Sequence, residues 1–182
     1  KNGTGKVDGV SAHLEVDGVA EVLRALGKVD PELRKATIKS MKAAGDPMVQ
    51  EARSLFPSAT PLSNWGNWTT PKGRVIGPYN PAKVKRGVKV AYRGSKVKGS
   101  DKNTIPLLTM RQTDAAGAIV DMAGRRSNGT TPQGRAFIEQ LRSFGVASRA
   151  MWPAAERNMG RVTAAVEDAI NAMSAKIEEQ MR

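Results

Sequence analysis

Apolar residues recur at helical spacing near both ends of this chain and alternate with polar ones through much of its middle. Val10 to Val16 alternates and predicts a short half-buried strand. Asp17 then offers an N-cap to Val19, Val22, Leu23 and Leu26, which fall at i, i+3, i+4, i+7, and Gly27 is expected to close that helix. Asp30-Pro31-Glu32 is a second helix start: a capping carboxylate, a proline in the first turn, and an acid at the positive dipole end. Met41, Ala44, Met48, Ala52 and Leu55 predict a helix to about Phe56, ended by Pro57. Gly45-Asp46-Pro47 should kink it or split it in two, because Pro47 lacks the N–H that a helix interior needs.

Ser58 to Pro81 is rich in Pro, Gly, Asn, Ser and Thr and predicts loop. Gly87 to Tyr92 alternates and predicts a strand, followed by a basic hairpin tip or loop over 93–103. Thr104 to Thr113 and Ala116 to Met122 predict two further strands turned at Asp114-Ala115, with a polar loop over Gly124 to Gly134. Arg135 to Phe144 predicts a short helix with Phe137, Ile138, Leu141 and Phe144 as its apolar side. From Pro153 onward, Met159, Val162, Val166, Ala169, Ile170, Met173 and Ile177 keep helical spacing almost to the end. The expected fold is α+β: N-terminal amphipathic helices and a long C-terminal helix packed on a small antiparallel β-sheet, with an extended basic loop arm.

With 182 residues, the expectation is a flexible tail at 1–9 and a single α+β domain over 10–182, in which 58–103 is a loop and basic-arm insertion. Three Trp, two Tyr and three Phe leave most of the core to aliphatic residues and to eight Met, whose side chains adapt to irregular gaps. The absence of cysteine excludes disulfides, thiolate metal sites and cysteine nucleophiles. No apolar run approaches the roughly 20 residues of a membrane span, and 1–9 carries no signal-peptide pattern, so a soluble intracellular protein is expected.

Charge changes the picture most. Lys72 to Lys102 holds ten Lys and Arg against one acid, Asp101, and so carries nine of the chain's twelve net positive charges. The candidate contact residues are Lys83, Lys85, Arg86, Lys89, Arg93, Lys96, Lys98 and Lys102. Three readings stay open: an arm that embraces a neighbouring subunit, an arm lying close to nucleic-acid phosphates, or a plainly solvated loop. Tyr79 and Tyr92 alone offer stacking near it, which gives little support to single-strand recognition. Trp65 and Trp68, three apart in the predicted loop, are candidate interface anchors or the centre of a local mini-core.

Catalytic chemistry is hard to assemble from these residues. The lone histidine, His13, has no Ser or Asp at triad spacing. Glu167-Asp168 and Glu178-Glu179 are adjacent on a helix, where neighbours diverge, and read as solvated charges. No metal-ligand spacing occurs. Gly3-Thr4-Gly5-Lys6 lacks the first glycine, the following Ser/Thr and the preceding strand of a phosphate loop. The expectation is a protein without enzymatic activity, metal or cofactor.

The order of elements also resembles a known family. A short amphipathic helix (GVAEVLRALGKV), a long helical segment (DPELRKATIKSMKAAGDPMVQEARSLFP), strands, and a Trp-Pro-Ala-Ala-Glu start to a C-terminal helix are similar to the neck or tail-completion proteins of tailed bacteriophages. The likeness covers roughly 17–57 and 145–180 and rests on Leu23, Leu26, Ala36, Ala44, Ala52, Pro57, Trp152, Pro153, Ala154, Ala155 and Glu156. It implies a structural virion protein of the head–tail junction, assembled in the host cytoplasm as a homo-oligomeric ring around the DNA path. Its neighbours would be head-completion (stopper) and tail-tube or tail-terminator proteins, with nonspecific contact to packaged DNA and none to membrane. The alternative expectation is a sequence-nonspecific nucleic-acid-binding protein using the basic arm 72–102.

Overall fold

The computed structural model describes residues 11–15, 19–62, 65–69, 73, 75–92, 106–125 and 128–181. The expectations for the tail at 1–9 and for the basic tip at 93–103 fall outside them. The described residues form α1 (Val19–Val29), α2 (Pro31–Ala44), α3 (Asp46–Leu55), α4 (Pro81–Gly87), α5 (Ala115–Met122), α6 (Pro132–Arg142) and α7 (Met151–Gln180). The strands are β1 (Ser11–Glu15), β2 (Trp68–Thr69), β3 (Val75–Ile76), β4 (Val88–Tyr92) and β5 (Pro106–Gln112). The fold is α+β, as the periodicity predicts.

The chain divides into two compact units. Unit 2 comprises Ala12–Glu51, Val90–Met110 and Ala154–Arg182. Its sheet has the order β1-β5-β4. Asp30 caps α2, accepting the Leu33 N–H at 2.9 Å, with Pro31 in the first turn as expected. Helix α1 does not stop at Gly27 but continues to Val29. That glycine serves close packing: a Cβ on it would lie 2.7 Å from Cδ of Arg34, on the helix against which α1 packs. Gly45 separates α2 from α3, so the predicted interruption is a break into two helices. A Cβ on Gly45 would sit 2.8 Å from Cγ2 of Val90 in β4, so this break also needs a residue without a side chain. Leu23, Met41, Val162 and Val166 are fully buried in this unit, whereas Val22 of the predicted stripe is half exposed. Glu51 anchors α3 to α7 within unit 2, accepting from Arg157 at 2.8 Å and from the Asn158 amide.

Unit 1 comprises Lys1–Ser11, Ala52–Lys89 and Arg111–Pro153. Two expectations fail here. Ala116 to Met122 is helix and not strand: Asp114, read as a turn residue, is the N-cap of α5 and accepts the Gly117 N–H at 2.9 Å. Pro81 to Gly87, read as part of a loop arm, is helix α4, with Asn80 accepting the Lys83 N–H at 3.0 Å and Pro81 at the first position. The loop of 58–81 also contains the antiparallel pair β2–β3, with Trp68 opposite Ile76. Helix α6 begins at Pro132, three residues earlier than its apolar spacing suggests, because Thr131 caps it. It ends at Arg142, so Phe144, the expected last residue, lies past the helix and is exposed, while Ile138 and Leu141 are buried.

Candidate functional site

Helix α4 is held by its own carbonyl end. Arg53, at the C-terminal end of α3, donates through Nε to Lys85 O at 2.9 Å and through a terminal nitrogen to Val88 O at 3.1 Å. A guanidinium at a helix C-terminus satisfies orphan carbonyls and meets the negative dipole end. On the other side, Gln112 of β5 donates to Val84 O at 3.0 Å and accepts the Asp114 N–H at 2.8 Å. Gln112 occupies space that two glycines leave open: a Cβ on Gly87 would collide with its Oε1, and one on Gly117 would lie 2.5 Å from its Nε2. Thr113 N–H and hydroxyl both donate to Gly87 O, at 3.0 and 3.1 Å.

This tie joins the residue after β5 to the residue before β4, its neighbour in the sheet, so β5 ends where β4 begins and the two run antiparallel. Lys89 and Arg111, each two residues from the tie and both exposed, therefore lie at the same end of this strand pair. Lys83 and Arg86, three apart on α4, are exposed on one side of that helix, and Lys85 is half-buried with its Nζ 3.4 Å from the Ser58 hydroxyl. The α4–β4–β5 corner thus carries five cations, and none of them forms an ion pair among the described residues. Lys83 also lines a cavity of about 330 Å³ with Asn80, Thr113 and Asp114.

Four of the eight cations singled out from the sequence, Lys83, Lys85, Arg86 and Lys89, belong to this corner, on a helix and a strand instead of a loop. Arg93, Lys96, Lys98 and Lys102 lie outside the described residues. Arg111 was missed, because strand alternation alone does not reveal which strand will be its neighbour. Trp65 is not an exposed anchor: it is buried in unit 1, with ring centroids 5.8 Å from Tyr79 and 5.9 Å from Phe137. This is the mini-core alternative, and Tyr79 completes it by donating its hydroxyl to Pro57 O at 2.7 Å. Burial pushes the Tyr79 phenol up to about 12, with a smaller push from the Asp114 charge. Trp68 stands on β2.

A second buried polar cluster in unit 1 had no signal in the sequence. Asp121 of α5 accepts the N–H groups of Ala150 and Met151 on Oδ1, at 2.7 and 3.1 Å, and so caps α7 from 29 and 30 residues upstream. Arg149, also buried, donates to Leu141 O at 3.0 Å, Val120 O at 2.9 Å and Ala123 O at 3.0 Å, closing the carbonyl ends of α5 and α6. Burial pushes the Asp121 carboxyl above its ordinary range, opposed by the Ala150 and Met151 N–H groups and by Arg149. The turn into α7 places Ser148 at φ 72°, held by its N–H to Asp121 O at 2.7 Å.

Glu167, Asp168, Glu178 and Glu179 are exposed on α7, and no group of three or more His, Asp or Glu is placed to hold a metal ion among the described residues. No helix of the described residues is long and apolar enough to cross a membrane. Comparison with family models, with curated proteins and with solved structures yields no match.

Proposed function

We propose that this chain is a structural component of the tailed-phage head–tail junction, which works by fitting against copies of itself and neighbouring neck proteins and converts no substrate. The observation that carries this reading is a set of exposed apolar side chains running from the α6–α7 connection into the first turn of α7. Phe144 is 42% exposed, Val146 84% and Trp152 53%, and Trp152 begins the Trp-Pro-Ala-Ala-Glu run that resembles the family. An aromatic left in water at the head of a helix is the kind of group that anchors subunit contacts. Its neighbours in sequence are buried: Ala150, Met151, Ala154 and Ala155 are all 1% exposed or less. Exposure at Trp152 is therefore specific to one side of the helix start. A ring around the DNA path would be a closed set of heterologous contacts, each copy presenting this segment to the next.

Cryo-electron microscopy of virions assembled from the genome that encodes the chain tests the reading. Density for the chain in a ring at the head–tail junction, with Trp152 in a subunit contact, is the expected result. Absence of the chain from that junction refutes it.

A further inference from the structure

The two units differ sharply in charge. The sequence ranges of unit 1 carry fifteen Lys and Arg against four Asp and Glu, a net of +11; those of unit 2 carry fourteen against thirteen, a net of +1. The acids of unit 1 are also few, and most have other partners. Asp121 is buried under the start of α7, Asp114 accepts the Gly117 N–H at the cap of α5, and Glu139 pairs with Arg142 at 2.8 Å. The fourth, Asp8, lies outside the described residues. Of the three described acids, Asp114 lines the cavity beside Lys83, so the corner formed by Lys83, Lys85, Arg86, Lys89 and Arg111 sets five cations against that one carboxylate.

From this we infer that the α4–β4–β5 corner of unit 1 is a docking surface for the phosphodiester backbone of double-stranded nucleic acid. The inference does not depend on the neck assignment. Two physical points favour a phosphate backbone over an acidic protein surface. Three of the five cations are lysines, which protein–protein interfaces deplete and phosphate contacts use freely. The corner is also framed by ordered elements: Arg53 and Gln112 fix α4, and the Thr113–Gly87 tie joins the chain at the start of β4 to the chain at the end of β5. An ordered backbone beneath the cations spares binding the cost of ordering a loop, so only side-chain freedom is lost on meeting a regular array of phosphates.

The test is fluorescence anisotropy of a labelled 30-base-pair DNA duplex titrated with the full chain across a KCl series. The unmodified chain is expected to bind with log K falling by about 4 per decade of salt, the slope for four to five phosphate contacts. The variant Lys83→Gln/Arg86→Gln/Lys89→Gln/Arg111→Gln is expected to lose at least tenfold in affinity at 100 mM KCl and about three units of slope. Arg125→Gln/Arg135→Gln, two exposed cations of the same unit, should stay within about twofold. A slope under 2 in the unmodified chain overturns the inference and needs no variant. So does a fourfold variant that binds like the parent, or an Arg125/Arg135 variant that loses as much. Polyglutamate that displaces the duplex at equal charge concentration overturns it in favour of an acidic protein partner.

Discussion

Asp121 spends one carboxylate oxygen on two backbone N–H groups, while the other, buried, finds no hydrogen-bond partner among the described residues. Replacing it with alanine leaves the start of α7 uncapped and Arg149 buried without its counter-charge. Asp121→Ala is expected to cost about 3 kcal/mol in thermal or urea unfolding, and Asp121→Asn, which keeps an acceptor, less than half of that. The pH dependence has a definite sign. Because folding raises this carboxyl, its contribution is fully present below its unfolded value of 3.8 and is lost as pH rises through the folded value. Acid therefore does not destabilise the fold at this carboxyl, because protonation relieves the cost of burying its charge. Glu51 behaves oppositely: the Arg157 hydrogen bond, and then that of Asn158, lower its carboxyl, so its contribution is present above 4.5 and fades as pH falls. Melting curves at pH 7 and pH 3 should show the gap between the parent and Glu51→Gln closing in acid. Ser148, at φ 72°, sits where a Cβ is strained, and Ser148→Gly is expected to be neutral or to stabilise by about 0.5 kcal/mol.

Among the elements, legibility follows length and capping. Helices α2 and α7 could be read from the sequence because long apolar stripes and, for α2, Asp30-Pro31 point the same way. Helix α5 could not: eight residues, AAGAIVDM, hold too few turns for a period to show, and Asp before a small residue marks a turn as readily as a cap. Helix α4 was hidden by its seven residues and its charges, although Asn80-Pro81 was a usable start signal. The lysines of the candidate surface were visible from charge alone; their arrangement depends on Gln112, Gly87 and Gly117, whose fit exists only after α4, α5 and β5 meet. Gly87→Ala should thus destabilise the fold by about 2 kcal/mol, as Cβ collides with Gln112 and comes within 3.0 Å of the Asp114 backbone nitrogen. Arg53→Met is expected to speed amide hydrogen exchange selectively over α4 and the start of β4, because Lys85 and Val88 lose their guanidinium.

For the whole molecule, the separation of charge between the units matters more than the total. The sequence places the surplus in one stretch, 72–102; of that stretch, the fold sets Lys83, Lys85, Arg86 and Lys89 on α4 and β4 in unit 1. Alkali acts on unit 1 through Tyr79. Its folded value of about 12 exceeds its unfolded value of 10.0, so its contribution holds below pH 10 and is lost toward pH 12. Tryptophan fluorescence against pH should show a transition in that window, and Tyr79→Phe should remove the ionisation but lose the bond to Pro57 O.

The cap that α5 places on α7 also bears on how the chain is made. A peptide corresponding to 150–182 alone would lack Asp121, and its opening turn would unravel back toward Ala154. On the ribosome the Asp121 segment emerges first, so the acceptor precedes the helix it serves. A circular permutant that begins at Ala150 reverses that sequence, synthesising the helix ahead of its own starting block.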